Sequence, residues 1–562
     1  MAKRIKGALV IVFVLVLSCL LLIGCLFTLE VKGDRIKQSN LENKADSNFQ
    51  LSADKEIILE GDTTDMATKW NEAIVYSKSN GGANVNVVLK NDWIATSTGE
   101  GTTFGSYADS FISGAILISK GATITLDLQG HTIDRKLTKP TSNGLVLFVE
   151  GGTLTIKDSS YSDSDLLNIY ERLRYKPFEK IMATIRSELK IGNITGGAAA
   201  STGGGIHLID GGKLNFESGM IADNIYAPTG GGIYAYPNCV VNISGGLIAA
   251  NKSATNGGGV FINGGELNIT GGLIIGNTAK SFGGGIYGRA NAIINIENGI
   301  IANNYAEVRG GGINVEGGTL NLNDGIIARN EANIDAGGVY VAKDTTVEGV
   351  FNMNGGEISN NKSNFGGGVY LYNEAQAVIN NGVIKENISY GNSAGMIIYS
   401  GSICTINNVQ IIDNKVYRNI ENSYSGGAGC MVAVSSQLIF NGGLIANNKI
   451  VEDNTSSQVN GGGILLANSS TTQPVVLTVN GGTITGNSAL HYGGGIYDAT
   501  GVSEINISGN AQIYGNTANG EVSDIHINKG RSININGKLG DTAHIGIRLA
   551  GDYGEEVFTN GY

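Results

Sequence analysis

One unit recurs along most of this chain and limits what the chain can fold into. From Gly203 onward, a glycine triplet followed by Ile and often Tyr precedes a short apolar run, a Gly-Gly pair and an Ile-x-x-Asn motif. The triplet, or its nearest equivalent, begins at positions 203, 230, 257, 283, 310, 336, 366, 393, 427, 461 and 493, mostly 26 or 27 residues apart. Three short strands separated by glycine-rich bends fit one coil of a β-solenoid. We therefore expect an all-β rod of about a dozen stacked coils.

Composition and strand pattern agree with this expectation. With 85 Gly but only 5 Pro, the chain is not collagen-like, and its 41% apolar content excludes a disordered tract. The net charge of −11 argues against a nucleic-acid partner. Within a unit, apolar and polar residues alternate, so Leu267 and Ile269 should point inward while Asn268 and Thr270 point outward.

The repeat resembles that of polymorphic outer-membrane proteins and related adhesin-like surface proteins, over roughly residues 115–540. The sequence GGGIY at 230–234 matches the first half of that family's signature. The second half, IAAN at 248–251, has Ile where the family has Phe. The resemblance implies a single right-handed parallel β-helix and an adhesin-like role. The autotransporter barrel of that family is missing from this sequence, so its secretion route is not carried over.

One column of asparagines occupies the same bend of successive units. An inward amide there can hydrogen-bond its own turn and the amides of adjacent coils, so we interpret this column as structural. Its members are Asn224, Asn251, Asn277, Asn304, Asn330, Asn361, Asn387, Asn414, Asn448, Asn487 and Asn516.

The first 55 residues differ in composition from the repeats. Three positive charges within Lys3–Lys6 precede an apolar run over Gly7–Leu29, which is typical of a secretory leader. The sequence LIGC ending at Cys25 resembles a lipobox and predicts lipidation of Cys25. The alternatives are an uncleaved membrane anchor over residues 1–29 and free secretion. Residues 30–55 read as a flexible tether. All three alternatives place the rest of the chain outside the cytoplasm.

The remaining chain divides into four segments. Residues 56–160 should hold a cap and the first coils, with an amphipathic helix over Thr63–Ser79 that buries Met66, Trp70 and Ile74. Residues 161–190 lose glycine and gain helical spacing on either side of Pro177, which predicts a helical pair inserted between coils. We expect its apolar faces to pack on the flank of the rod; the alternative is a docking element. Residues 191–540 form the repetitive β-helix, and residues 541–562 form an end segment.

Catalytic and metal motifs are weak. β-Helix enzymes place acids on neighbouring coils, and only Glu386 and Asp413 put carboxylates at one repeat position of adjacent units. These two groups could act as a catalytic pair or share a calcium ion, but two solvated acids at the edge of the rod explain them equally. No other cofactor and no metal motif is predicted. The cysteines beyond the leader, Cys239, Cys404 and Cys430, suggest no disulfide framework.

Two adjacent units carry long loops on the same side of the rod. Asn414 is followed by twelve residues (415–426) before the next glycine triplet, and Asn448 by another twelve (449–460), where five are usual. Loops on a rigid scaffold often bind ligands, although a tolerated insertion would look the same. The candidate binding residues are Tyr417, Arg418, Glu421 and Tyr424 in the first loop and Glu452 and Asp453 in the second.

A second candidate surface follows the outward residue after each glycine triplet. Exposed aromatic rings stacked along the rod would form a platform for sugar rings, although such residues also simply favour strands. The aromatic members proposed to bind ligand are Tyr234, Phe261, Tyr287, Tyr340 and Tyr370.

These observations favour a cell-surface protein that binds polysaccharide or surface ligands without catalysis, anchored to a membrane through its N-terminus. One alternative is a polysaccharide lyase or glycoside hydrolase of the pectate-lyase-like class that uses Glu386 and Asp413. Another is a passive spacer of the cell envelope. The sequence leaves the oligomeric state open.

Overall fold

The structure, a computed structural model, describes residues 55–98, 101–225, 227–417, 425–451, 459–467, 473–500, 503–549 and 558–561. All of them belong to one compact unit, Asp54–Tyr562. This unit is an all-β parallel β-helix of the right-handed type with about 17 turns, which confirms the predicted fold. At about 4.8 Å per turn the rod is about 80 Å long. The sequence predicted only about a dozen coils, because the turns before Gly203 lack the glycine triplet by which coils were counted.

A single coil shows how the repeat becomes structure. After the glycines at 230–232 the chain forms strands Ile233–Ala235, Val240–Ile243, Leu247–Ala249 and Lys252–Asn256. The first two strands belong to a 31-stranded sheet (sheet 1), the third to a 15-stranded sheet (sheet 2) and the fourth to a 12-stranded sheet (sheet 3). In two coils the first two strands merge into one, as in Ile313–Leu322. Each strand pairs in parallel with its equivalents in the adjacent coils.

The core is a continuous apolar column inside the three sheets. Leu267 and Ile269 are buried and Asn268 is partly exposed, as the alternation predicts. At the first coils the helix α1 (Thr63–Ser79), which begins with a capping box from Asp62, adds Trp70 to this core. The predicted bounds and buried face of α1 are confirmed.

The asparagine column is confirmed as a structural ladder. All eleven amides are buried. Asn251 is representative: its Nδ2 donates to Ile221 O (2.8 Å) and to Asn277 Oδ1 (3.0 Å), and its backbone N–H donates to the same Asn277 oxygen (3.1 Å). The third glycine of each triplet makes room for this ladder, since a Cβ at Gly232 would lie 2.9 Å from Asn251 Nδ2.

The insertion at 161–190 is a pair of helices, α2 (Asp163–Leu173) and α3 (Phe178–Glu188). Their apolar faces, including Tyr170 and Ile185, pack on the outside of sheet 2. The expected packing of the insertion's apolar faces on the flank of the rod is therefore confirmed. No helix within the described residues is both long and apolar enough to cross a membrane.

At the C-terminal end the solenoid continues past residue 540. Strands His544–Ile545, Ile547–Leu549 and Thr559–Asn560 pair in parallel with the preceding coil. The described part of the predicted end segment is thus further coil. Cys239, Cys404 and Cys430 are buried and form no disulfide.

Candidate binding groove

The aromatic residues that follow the glycine triplets stack along the rod but are not exposed. These side chains alternate with core residues of sheet 1 and so point outward, yet the five aromatic candidates have only 1–9% of their surface accessible. The expected exposed platform is therefore wrong. We call this register column the floor; its members are Phe148, His207, Tyr234, Phe261, Tyr287, Asn314, Tyr340, Tyr370, Ile397, Met431, Leu465, Tyr497 and His526.

Stacking explains part of this burial. The ring centres of Tyr234 and Phe261, and of Phe261 and Tyr287, lie 4.8 Å apart, the spacing between adjacent strands. The rings of Tyr234 and Phe261 are therefore covered on both sides by rings of the adjacent coils. Burial raises the pKa of Tyr234 to about 12 and those of Tyr287, Tyr340 and Tyr370 further.

The bend at the glycine triplet explains the rest. The first glycine has a left-handed conformation (φ 64° at Gly230), and a Cβ on it would lie 2.7 Å from the Cβ of Tyr234. The chain thus folds back so that the residue before the triplet stands beside the floor. We call that column the wall; it contains Thr202, Thr229, Asn256, Phe282, Arg309, Asp335 and Phe365.

The opposite side of the groove is formed by side chains two positions after the floor. We call this column the rim; it contains Tyr236, Asn263, Arg289, Glu316, Ala342, Tyr372 and Tyr399. Tyr236 is 38% exposed, and Tyr372 and Tyr399 stack with an interplanar angle of 14°. Within the groove, the accessible aromatic surface is therefore the rim. The sequence analysis missed it, although the rim tyrosines lie at a fixed offset of two residues from the floor.

A cavity of about 680 Å³ lies at the N-terminal part of the groove. The His207 ring lies 5.2 Å from Phe148 and 5.5 Å from Tyr236, on which it stacks. Burial lowers the pKa of His207 to about 4, so the ring is neutral at pH 7. Amide and carboxylate groups of Asn143, Asp210 and Asn238 complete the lining. Aromatic faces and hydrogen-bonding groups therefore meet in one accessible place.

Charged residues gather at the middle of the groove. Arg309 of the wall donates from Nε to Asp335 Oδ2 (3.1 Å), and the Tyr287 hydroxyl donates to Glu316 Oε2 (2.9 Å). Burial raises the pKa of Asp335 to about 6, although Arg309 opposes the shift.

The long loops run side by side where the structure describes them. Strand Lys415–Tyr417 pairs with Lys449–Val451, and Ser425–Gly426 pairs with Val459–Asn460. Tyr417 is 37% exposed and its ring lies 6.4 Å from that of Tyr390. The other candidates in these loops, Arg418, Glu421, Tyr424, Glu452 and Asp453, lie outside the described residues, as does Cys25.

Glu386 and Asp413 occupy adjacent coils at a position with left-handed backbone, φ 54° and 57°. Glu386 is exposed and accepts a hydrogen bond from Asn360 Nδ2 (3.0 Å), while Asp413 is partly buried. No hydrogen bond or ion pair joins them in the described part of the chain. Glu386 instead borders a cavity of about 110 Å³ between α2 and the rod, together with Arg174, Arg329, Glu357 and Lys385.

Among the described residues, no group of three or more His, Cys, Asp or Glu side chains is arranged to hold a metal ion. Fold and groove together define a parallel β-helix protein with an aromatic floor and a tyrosine rim. No protein-family model, no curated protein and no solved structure matches the chain.

Proposed function

We propose that this chain is an adhesin-like rod that is held outside the cell membrane and binds polysaccharide without catalysis. The basic residues and apolar run at Lys3–Leu29 support export, and Cys25 is the proposed lipid attachment point if the leader is cleaved there. The rigid repeat is suited to presenting a long surface rather than a closed pocket.

The observation that carries the proposal is the accessible rim beside an aromatic floor. The apolar face of a sugar ring packs on an aromatic ring, and its hydroxyls pair with amide and carboxylate groups. Tyr236 beside His207 offers both kinds of contact, with Asp210 and Asn238 nearby. Tyr372 lies five coils further along, about 24 Å away at the spacing of adjacent strands. The groove therefore suits an extended oligosaccharide.

The test is retention of the full chain on a panel of immobilised polysaccharides, with mass spectrometry of the eluate for released oligosaccharides. We expect retention without release. Replacing Tyr236 by Ala should weaken binding about tenfold, roughly 1.4 kcal/mol, because the exposed ring is lost. Tyr514→Ala is the matched control, since Tyr514 is 37% exposed on a strand of sheet 2, away from the groove.

Three results would contradict the proposal. Released fragments would show catalysis and favour a lyase or hydrolase. Absence of both retention and release would favour the passive spacer. Equal loss of binding in the Tyr236 and Tyr514 variants would remove the groove as the binding site.

A further inference from the structure

The floor is interrupted at one coil by a polar residue that lacks hydrogen bonds. Asn314 lies in register between Tyr287 and Tyr340, and its side chain has no accessible surface. Neither Oδ1 nor Nδ2 has a hydrogen-bond partner within the part of the chain that the structure describes. The ladder asparagines, by contrast, are fully paired, so Asn314 needs another explanation.

The fold does not require an amide at this position. Ile397, Met431 and Leu465 occupy the same column in later coils and are buried. A buried amide without partners loses the hydrogen bonds that water gave it, whereas an aliphatic side chain loses nothing comparable. Asn314 thus lowers stability where the fold accepts a better residue, and such departures are expected at functional positions.

Arg309 lies across the groove at this point. Its guanidinium carbon is 5.7 Å from the ring centre of Phe282 on the wall, 5.2 Å from Tyr340 on the floor and 5.9 Å from Tyr372 on the rim. Arg309 belongs to the same coil as Asn314, and its side chain contacts the wall, the floor and the rim in nearby coils. Arg309 thus spans the groove next to the Tyr287–Glu316 hydrogen bond, and its rotation would uncover part of the floor.

The charges around Asn314 nearly balance, with one carboxylate, Asp344, in excess of the three pairs described next. Arg309 pairs with Asp335, Lys343 pairs with Glu374, and Arg289 lies in register beside Glu316. The whole chain has a net charge of −11. A small local excess of negative charge and a negative net charge do not favour a polyanionic glycan.

We propose that Asn314 is the centre of a subsite for one neutral sugar unit of the polysaccharide. One hydroxyl accepts a hydrogen bond from Asn314 Nδ2, the adjacent hydroxyl donates to Asn314 Oδ1, and Arg309 rotates away from the floor to admit the ring. This inference rests on the proposed function and names the class of polysaccharide that the groove takes.

The test compares the full chain with its Asn314→Leu variant by affinity electrophoresis in neutral glycans (dextran, galactomannan and xyloglucan) and in uronate glycans (polygalacturonate and alginate). We expect retention by a neutral glycan and at least a tenfold loss of affinity in the variant, with an unchanged or higher Tm. Tyr514→Ala, which changes an exposed residue of sheet 2 away from the groove, is the control and should keep full affinity.

The outcomes separate this inference from the proposed function. Unchanged affinity together with a higher Tm would mean that the Asn314 amide binds only buried water. That result overturns the subsite, while the groove remains the proposed binding site. Retention of the wild-type chain by uronate glycans alone overturns the proposal that the ligand is a neutral polysaccharide. A wild-type chain that binds none of the glycans overturns both proposals. Should the Leu variant misfold, hydrogen exchange on the wild type decides: no glycan-dependent protection of residues 309–316 overturns the subsite.

Discussion

At the scale of single residues, each ladder asparagine links adjacent coils through several hydrogen bonds. Asn304 accepts at one oxygen from both the backbone N–H and Nδ2 of Asn277, and donates to Ile274 O and to Asn330 Oδ1. These groups are buried, so water cannot replace a lost partner. The cost of a substitution is therefore set by the donors that remain unpaired.

We predict that Asn304→Ala destabilises its coil by about 3 kcal/mol, because the backbone N–H of Asn277 then lacks a partner. The control is Asn354→Ala in a second, outward ladder that the sequence analysis did not identify, where Asn354 Nδ2 donates to Asn323 Oδ1 (2.7 Å). Asn354 is exposed, so water substitutes and the cost should stay below about 1 kcal/mol. Native-state hydrogen exchange across the two coils measures both values. Equal costs would contradict this account of the ladder.

The sequence predicted which residues form a column but not how exposed the column is. The ladder could be predicted because an inward amide at a repeated bend has few other ways to find partners. The floor residues were expected to be exposed and are buried, because the alternation of apolar and polar residues shows only whether a side chain points inward or outward. Whether an outward ring such as Tyr234 meets water depends on how far the chain bends at Gly230, and no local pattern encodes that angle. Asp524, which ends the ladder by accepting from Asn516 (2.7 Å), was also missed since it stands in no repeat position.

At the scale of elements, the helical insertion is held by apolar packing that is separate from the core of the rod. Ile181, Ile185 and Tyr170 contact residues on the outer face of sheet 2, such as Leu247 and Ile275. Phe178 lies against Gly276, where a Cβ would come within 2.1 Å of the ring. The helical spacing and Pro177 were enough to predict the two helices, because both signals are local.

We predict that Ile185→Ala loosens the insertion and leaves the rod intact. Removing a fully buried Ile costs about 3 kcal/mol, which should accelerate amide exchange in α3 roughly 100-fold if the helices open independently of the solenoid. Leu167→Ala in α2 is the control, because Leu167 is 38% exposed, and it should change exchange little. Faster exchange throughout sheet 1 in the Ile185 variant would instead mean that the insertion and the rod unfold together.

At the scale of the whole molecule, each coil contacts mainly its neighbours, so the rod behaves as a one-dimensional array. The sheets are parallel ladders in which strand follows strand along the rod. In such arrays stability is close to a sum of coil terms and interface terms. The period predicted the array, but the count of turns was too low because residues 55–134 form coils without glycine triplets.

The array predicts that one coil can be removed without loss of the fold. Deleting Gly366–Asn392 joins Phe365 to Ser393, and Phe365 is in register with Asn392, so every column stays aligned and Asn361 meets Asn414. We expect retained β circular dichroism and a rod shorter by about 4.8 Å in small-angle scattering. Deleting residues 366–385 instead joins Phe365 to Glu386, which places a sheet 2 bend where a floor strand belongs and buries polar groups without partners. That second variant should aggregate. If both variants fold equally well, register between coils does not hold the rod together, and the ladder and the groove lose their common structural basis.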